Sequence, residues 1–213
     1  MVEHPAQVVR DHVERPTAVA VLESSGSIQE VFAALADEVD GFAGLYYDQE
    51  GRLTVTMTDT DRIEDVRAPV SSVLRAGLRG QESLPGYTAA REQIDQDVSE
   101  LRAELAQFDY RQLYDWYHGQ IVNEVGGLSS VTSMHIDERL NRILVGVEHW
   151  ADIPDIEHRL EALSVPELAL EVRQSGVSGS STGLARTFVI ARWDSTCIGL
   201  FRMDPCTRTA TSS

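Results

Sequence analysis

The chain has 213 residues, and 34 acids against 18 bases give a formal net charge of −16; every base is arginine, because the sequence contains no lysine. So acidic a surface repels phosphate backbones, which argues against a nucleic-acid partner, and without lysine there is no Schiff-base amine and no P-loop lysine. No apolar run approaches the ~20 residues of a membrane span, so no membrane partner is expected, and a 42% hydrophobic composition suits one or two folded domains.

Residues 1–26 read as a lead-in, with His4 to Val13 a short helix and Thr17 to Leu22 a short strand. Met1 to Arg15 lacks the apolar core of a signal peptide, which leaves a cytoplasmic protein or an exported one without its leader. Ser27 with Glu30 forms a capping box, and Ile28, Val31, Phe32, Leu35 and Val39 follow at helical spacing up to Gly41. Phe42 to Asp48 and Arg52 to Thr58 then read as two strands about a Gln49-Glu50-Gly51 turn. A helix from about Asp61 carries Ile63, Val66, Val70 and Val73, with a kink expected at Pro69.

Residues 77–108 read as a linker followed by one long helix, Thr88 to Phe108, because Ile94, Val98, Leu101, Leu105 and Phe108 form a seam at spacings of four and three. The seam suits packing on its own domain better than an outside partner. Asp109 with Gln112 opens another helix, closed by Gly126 and Gly127. Strands Val131 to Asp137 and Arg142 to Glu148, a helix Pro154 to Leu163 and a strand Leu168 to Arg173 complete residues 109–174. Residues 175–213 are a Ser/Gly/Thr-rich tail with one strand-like run, Thr187 to Trp193, and two cysteines, Cys197 and Cys206, whose pairing is left open.

Residues 27–76 and 109–174 describe one unit twice. Leu45-Tyr46-Tyr47-Asp48, a turn and Arg52-Leu53-Thr54-Val55 match Met134-His135-Ile136-Asp137, a turn one residue longer and Arg142-Ile143-Leu144-Val145. The predicted fold is α+β: two repeated α-β-β-α units, each a small antiparallel sheet covered by helices on one face. Leu45 and Met134 should then share a layer, as should Val55 and Val145.

The run Gly41-Phe42-Ala43-Gly44-Leu45-Tyr46-Tyr47-Asp48 followed by Gly51-Arg52-Leu53-Thr54-Val55 resembles the pro-regions of secreted bacterial chymotrypsin-like serine proteases of the α-lytic protease and streptogrisin type. So does Ser133-Met134-His135-Ile136-Asp137 followed by Asn141-Arg142-Ile143-Leu144-Val145-Gly146-Val147, and the likeness covers roughly residues 27–174. The resemblance implies a folding assistant and inhibitor, exported or periplasmic, whose partner is a chymotrypsin-like serine protease bound by strand pairing and by the tail. On this chain the corresponding partner-binding residues are Leu168, Leu170, Val172 and Arg173. The chain itself carries no Gly-Asp-Ser-Gly-Gly nucleophile loop. A stand-alone interaction or scaffolding protein is the alternative reading, and an enzyme with a site assembled from scattered residues a third.

No catalytic residue, cofactor or metal ligand is assigned. His149, Asp152, Asp155 and His158 cluster in sequence, but acids there suit a helix N-terminus. Ser178 lacks nucleophile-elbow spacing, Asp48 and Asp137 are preferred turn residues, nothing near Cys197 activates it, and His135 lies on an alternating strand. Tyr114, Trp116 and Tyr117 read as core.

Overall fold

In the computed structural model, which describes residues 15–24 and 26–175, both units start from the same local device. Ser27 Oγ accepts from the Glu30 amide at 3.2 Å while the Ser27 amide donates to Glu30 Oε2 at 2.6 Å, opening α2 (Ile28–Glu38). Asp109 and Gln112 repeat the reciprocal pair at the head of α5 (Tyr110–Trp116). Two donors that a helix start leaves without partners are satisfied each time. From α5 the helix passes through a π turn, Tyr117–Ile121, into α6 (Val122–Val125).

Each helix leads into a hairpin whose apolar face packs back on it. In the first unit β1 (Phe42–Tyr47) pairs antiparallel with β2 (Leu53–Met57); in the second β4 (Val131–Asp137) pairs likewise with β5 (Arg142–Val147). The registers are equivalent. Leu45 faces Val55 and Met134 faces Val145, and both ladders slip at their start, between Phe42 and Gly44 and between Val131 and Ser133. Both turns need a left-handed residue at the same place, Gly51 at φ 79° and Asn141 at φ 54°. Leu45, Val55 and Val145 lie in the core and Met134 packs against it, so the expected shared layers are present.

A 3-10 turn and a helix follow each hairpin: Thr60–Arg62 into α3 (Ile63–Ala76), continuous through Pro69, and Trp150–Asp152 into α7 (Ile153–Glu161). Val66 and Val70 of α3, like Ile156 and Leu160 of α7, face inward at helical spacing and are buried. The chain then returns to lay a third strand parallel to the hairpin's second, β3 (Arg102–Leu105) beside β2 and β6 (Leu170–Gln174) beside β5. The fold is α+β, and its repeat is α-β-β-α-β with strand orders β1-β2-β3 and β4-β5-β6. Phe32 and Tyr110 meet edge-on at 5.4 Å, and Phe32 and Phe42 at 5.7 Å, so the opening helices of the two units share one aromatic cluster.

Three expectations are corrected. Thr17 to Leu22 is not a strand: Thr17 caps a helix, α1 (Ala18–Glu23), accepting from the Ala20 amide, and the β-branched valines ride on it. Thr88 to Phe108 is not one helix. α4 (Tyr87–Ser99) stops where Arg67 donates to the carbonyls of Val98 and Ser99, and the chain straightens to gain the ladder with β2. Ile94, Val98 and Leu101 of the seam are buried, but Leu105 is 76% exposed. The sheets are mixed rather than antiparallel, because the returning helix delivers the third strand in the direction of the second. The expectations on His4 to Val13, Ser178, Thr187 to Trp193, Cys197 and Cys206 lie outside the described residues. Among the described residues no helix is long and apolar enough to cross a membrane.

Candidate protein-binding edge

Leu168, Leu170, Val172 and Arg173 stand on one edge of the molecule. Leu168, on the 3-10 turn Glu167–Ala169, is 56% exposed. β6 has β5 on one side and, among the described residues, no strand on the other. The Ser175 amide donates to the Val147 carbonyl at 2.7 Å. Main-chain groups alternate in direction along a strand, so those of Glu171, Arg173 and Ser175 point to β5 while those of Leu170, Val172 and Gln174 point to the open side. The side chains divide the other way from what recognition by four side chains would need. Leu170 and Val172 stand opposite Ile143 and Val145, half-buried against the core, and of the four only Leu168 and Arg173 are exposed. What Leu170 and Val172 turn to the open side is backbone.

The outer face of this sheet carries Ser133, His135, Glu171 and Arg173 around the central Leu144 and Gly146. Arg142 pairs with Glu171 at 3.7 Å. A Cβ at Gly146 would collide with the hydroxyls of Ser133 and Ser175, which close over the glycine, while Thr132 Oγ1 donates to the Gly146 carbonyl at 3.1 Å.

The corresponding face of the first sheet is occupied. The tip of the second hairpin rests on it: Thr56 Oγ1 donates to the Glu138 carbonyl at 3.3 Å, and the side chain of Glu138 lies directly over Gly44. The tip is held by Asn141, whose Oδ1 accepts from the amides of Gln107 and Phe108 at 2.9 and 2.8 Å and whose Nδ2 donates to the Phe108 carbonyl at 2.8 Å. These residues leave β3 for α5, so the second unit's turn clamps the connection between the two units. Sequence reasoning missed Glu138, and it read Asn141 only as part of a turn, not as the clamp on Gln107 and Phe108.

Burial pushes the Glu138 carboxyl up to about 7, and the neighbouring Asp137 charge adds to the rise. The Tyr110 hydroxyl is buried with no hydrogen-bond partner among the described residues, and burial raises it well above its ordinary value. Asp48 behaves oppositely: partial burial works against its charge, but hydrogen bonds from the Arg52 amide and guanidinium, at 2.8 and 2.7 Å, hold it below the ordinary value. Asp137 accepts from the Leu140 amide at 2.8 Å. Both hairpin aspartates close their turns. His149 lies near Glu148 and His158 near Glu161, so the structure does not bring His149, Asp152, Asp155 and His158 together, and among the described residues no three such side chains converge to hold a metal. His135 faces Leu144 across the hairpin. Tyr117 is buried, and Tyr114 and Trp116 pack on the core. A scan of protein-family models finds no match to the chain, and a search of curated proteins finds none either.

Proposed function

We propose that this chain is a non-catalytic binding module of the protease pro-region kind, which assists the folding of a chymotrypsin-like serine protease and inhibits it by adding a strand of the partner to β6. The observation that carries the reading is the open edge of β6, with the main-chain groups of Leu170, Val172 and Gln174 free of an in-sheet partner among the described residues. An extended segment laid there gains main-chain hydrogen bonds without rearrangement of the sheet. Exposed Leu168 and Arg173 flank the edge and supply side-chain selectivity. The formal charge of −16 steers a basic partner toward it.

Mixing the full chain with a bacterial chymotrypsin-like protease tests the reading. Inhibition at micromolar or lower concentration, together with faster recovery of activity from denatured protease, is expected. Absence of binding at micromolar concentration removes the protease as partner and leaves the stand-alone interaction protein.

A further inference from the structure

In a chain with a formal charge of −16, three arginines line one cavity of the first unit, and among the described residues no acid does. The cavity has a volume of about 340 Å3 and lies between α1, the last turns of α3, the chain that follows it and the start of α4. That volume suits a small molecule. Val19, Ala76, Leu78 and Tyr87 give the cavity an apolar wall, and Arg75, Arg79 and Arg91 give it positive charge. Two of these arginines reach for acids that stand outside the cavity, Arg75 for Asp95 and Arg79 for Glu23, and both pairs lie in solvent. Exposed pairs contribute about 0–1 kcal/mol, so an incoming anion replaces the acid at little cost. Arg91 is exposed and forms no ion pair among the described residues. The backbone opposes a negative ligand no more than the side chains do. The carbonyls of Val73, Arg75 and Ala76 at the end of α3 are taken by the amides of Gly77, Leu78 and Arg79, and Gln81 Nε2 takes that of Gly77. At the start of α4 no acid stands in the first turn to compete for the same place.

We propose that this cavity is a binding site for a small phosphate monoester that carries an apolar group. The guanidinium forks of Arg75, Arg79 and Arg91 take the phosphoryl oxygens, and the apolar group packs on Val19, Leu78 and the Tyr87 ring. Three arginines match the charge of a monoester, about −2 at neutral pH, better than the single charge of a carboxylate. The Ser72 hydroxyl also lines the cavity but donates to the Ala68 carbonyl at 2.9 Å, so the arginines carry the recognition. The site lies in the first unit and the open edge of β6 in the second, so the two readings stand or fall separately.

Titration calorimetry of the full chain with phenyl phosphate at neutral pH tests the site, and amide and arginine Nε–Hε NMR shifts place it. A dissociation constant below about 1 mM is expected, with the shifts concentrated in residues 75–79 and 87–91. Arg91→Gln should weaken binding at least about fivefold, the loss of one charge-assisted contact. Arg139→Gln, which removes an exposed arginine from the second hairpin, should leave binding unchanged. Benzoate should bind at least about fivefold more weakly than phenyl phosphate, and benzyl alcohol should not bind. A weaker dissociation constant, a smaller loss in Arg91→Gln, or shifts centred on arginines outside the cavity overturns the site. Benzoate binding within fivefold of phenyl phosphate, or binding of the alcohol, overturns the assignment to a phosphate monoester.

Discussion

Replacing Gly44 by alanine probes the seating of one unit on the other. The new methyl group would lie 2.6 Å from Glu138 Cβ, 3.1 Å from Glu138 Cγ and 3.0 Å from Thr56 Oγ1. Carbon atoms rest at about 3.5–4.0 Å, so the overlap is close to 1 Å. Neither neighbour yields easily, since Glu138 Cβ is fixed by a backbone that Asn141 holds down and Thr56 sits in the middle strand of the sheet. Overpacking of this kind costs about 1–3 kcal/mol, and the φ of +156° at Gly44 adds about 1 kcal/mol for an L-residue. Gly44→Ala should therefore destabilise by roughly 2–4 kcal/mol in equilibrium urea unfolding. Gly51→Ala separates the two contributions: its φ is +79° with nothing within 4 Å of an added Cβ, so only the backbone part, about 1 kcal/mol, is expected. Pairing Gly44→Ala with Glu138→Gly, which removes the atom that the methyl strikes, should restore at least about 1 kcal/mol in a double-mutant cycle. A Gly44→Ala cost no larger than that of Gly51→Ala, or a cycle with no coupling, would refute the close seating of the hairpin tip.

Three further outcomes are expected. Asn141→Ala loses three hydrogen bonds, two of them buried, and forces a φ of 54° on alanine, so urea unfolding should show a loss of roughly 2–4 kcal/mol. Leu105→Ser should change stability by less than about 0.5 kcal/mol, whereas Leu101→Ala, four residues earlier on the same predicted seam but buried, should cost about 2–4 kcal/mol by thermal or urea unfolding. The raised Glu138 carboxyl favours the folded state when protonated, so its contribution is complete below the ordinary value of 4.5 and is lost as pH climbs to about 7; Glu138→Gln should accordingly gain about 2 kcal/mol on the wild type at pH 8 relative to pH 4.5, measured by urea unfolding at both.

The repeat was legible because its signals are local. Capping boxes at Ser27 and Asp109, left-handed turn residues at Gly51 and Asn141, and alternating apolar strands each announce themselves within a few residues. β3 was not legible. Arg102 to Leu105 continues the helical spacing of α4, its four residues are mostly exposed, and only the neighbouring β2 makes it a strand. The same holds for Thr17 to Leu22, where valines favour a strand and one threonine cap, with Glu38 accepting from the Ala18 amide, decides for a helix. At the edge, the location of Leu170 and Val172 was readable but their orientation was not, because which face of β6 meets α7 and β5 is settled by tertiary packing. Glu138 gave no chemical signal, since a glutamate in a turn looks solvated until another sheet covers it.

The proposed strand addition at β6 is tested most directly by Gln174→Pro. Proline there removes one outward main-chain N–H from the open edge and leaves the bonds of Arg173 and Ser175 to β5 in place. The inhibition constant of the full chain against a bacterial chymotrypsin-like protease should rise at least about tenfold in the variant, with urea stability changed by less than about 1 kcal/mol. Equal inhibition by both proteins, or inhibition by neither, would contradict strand pairing at β6.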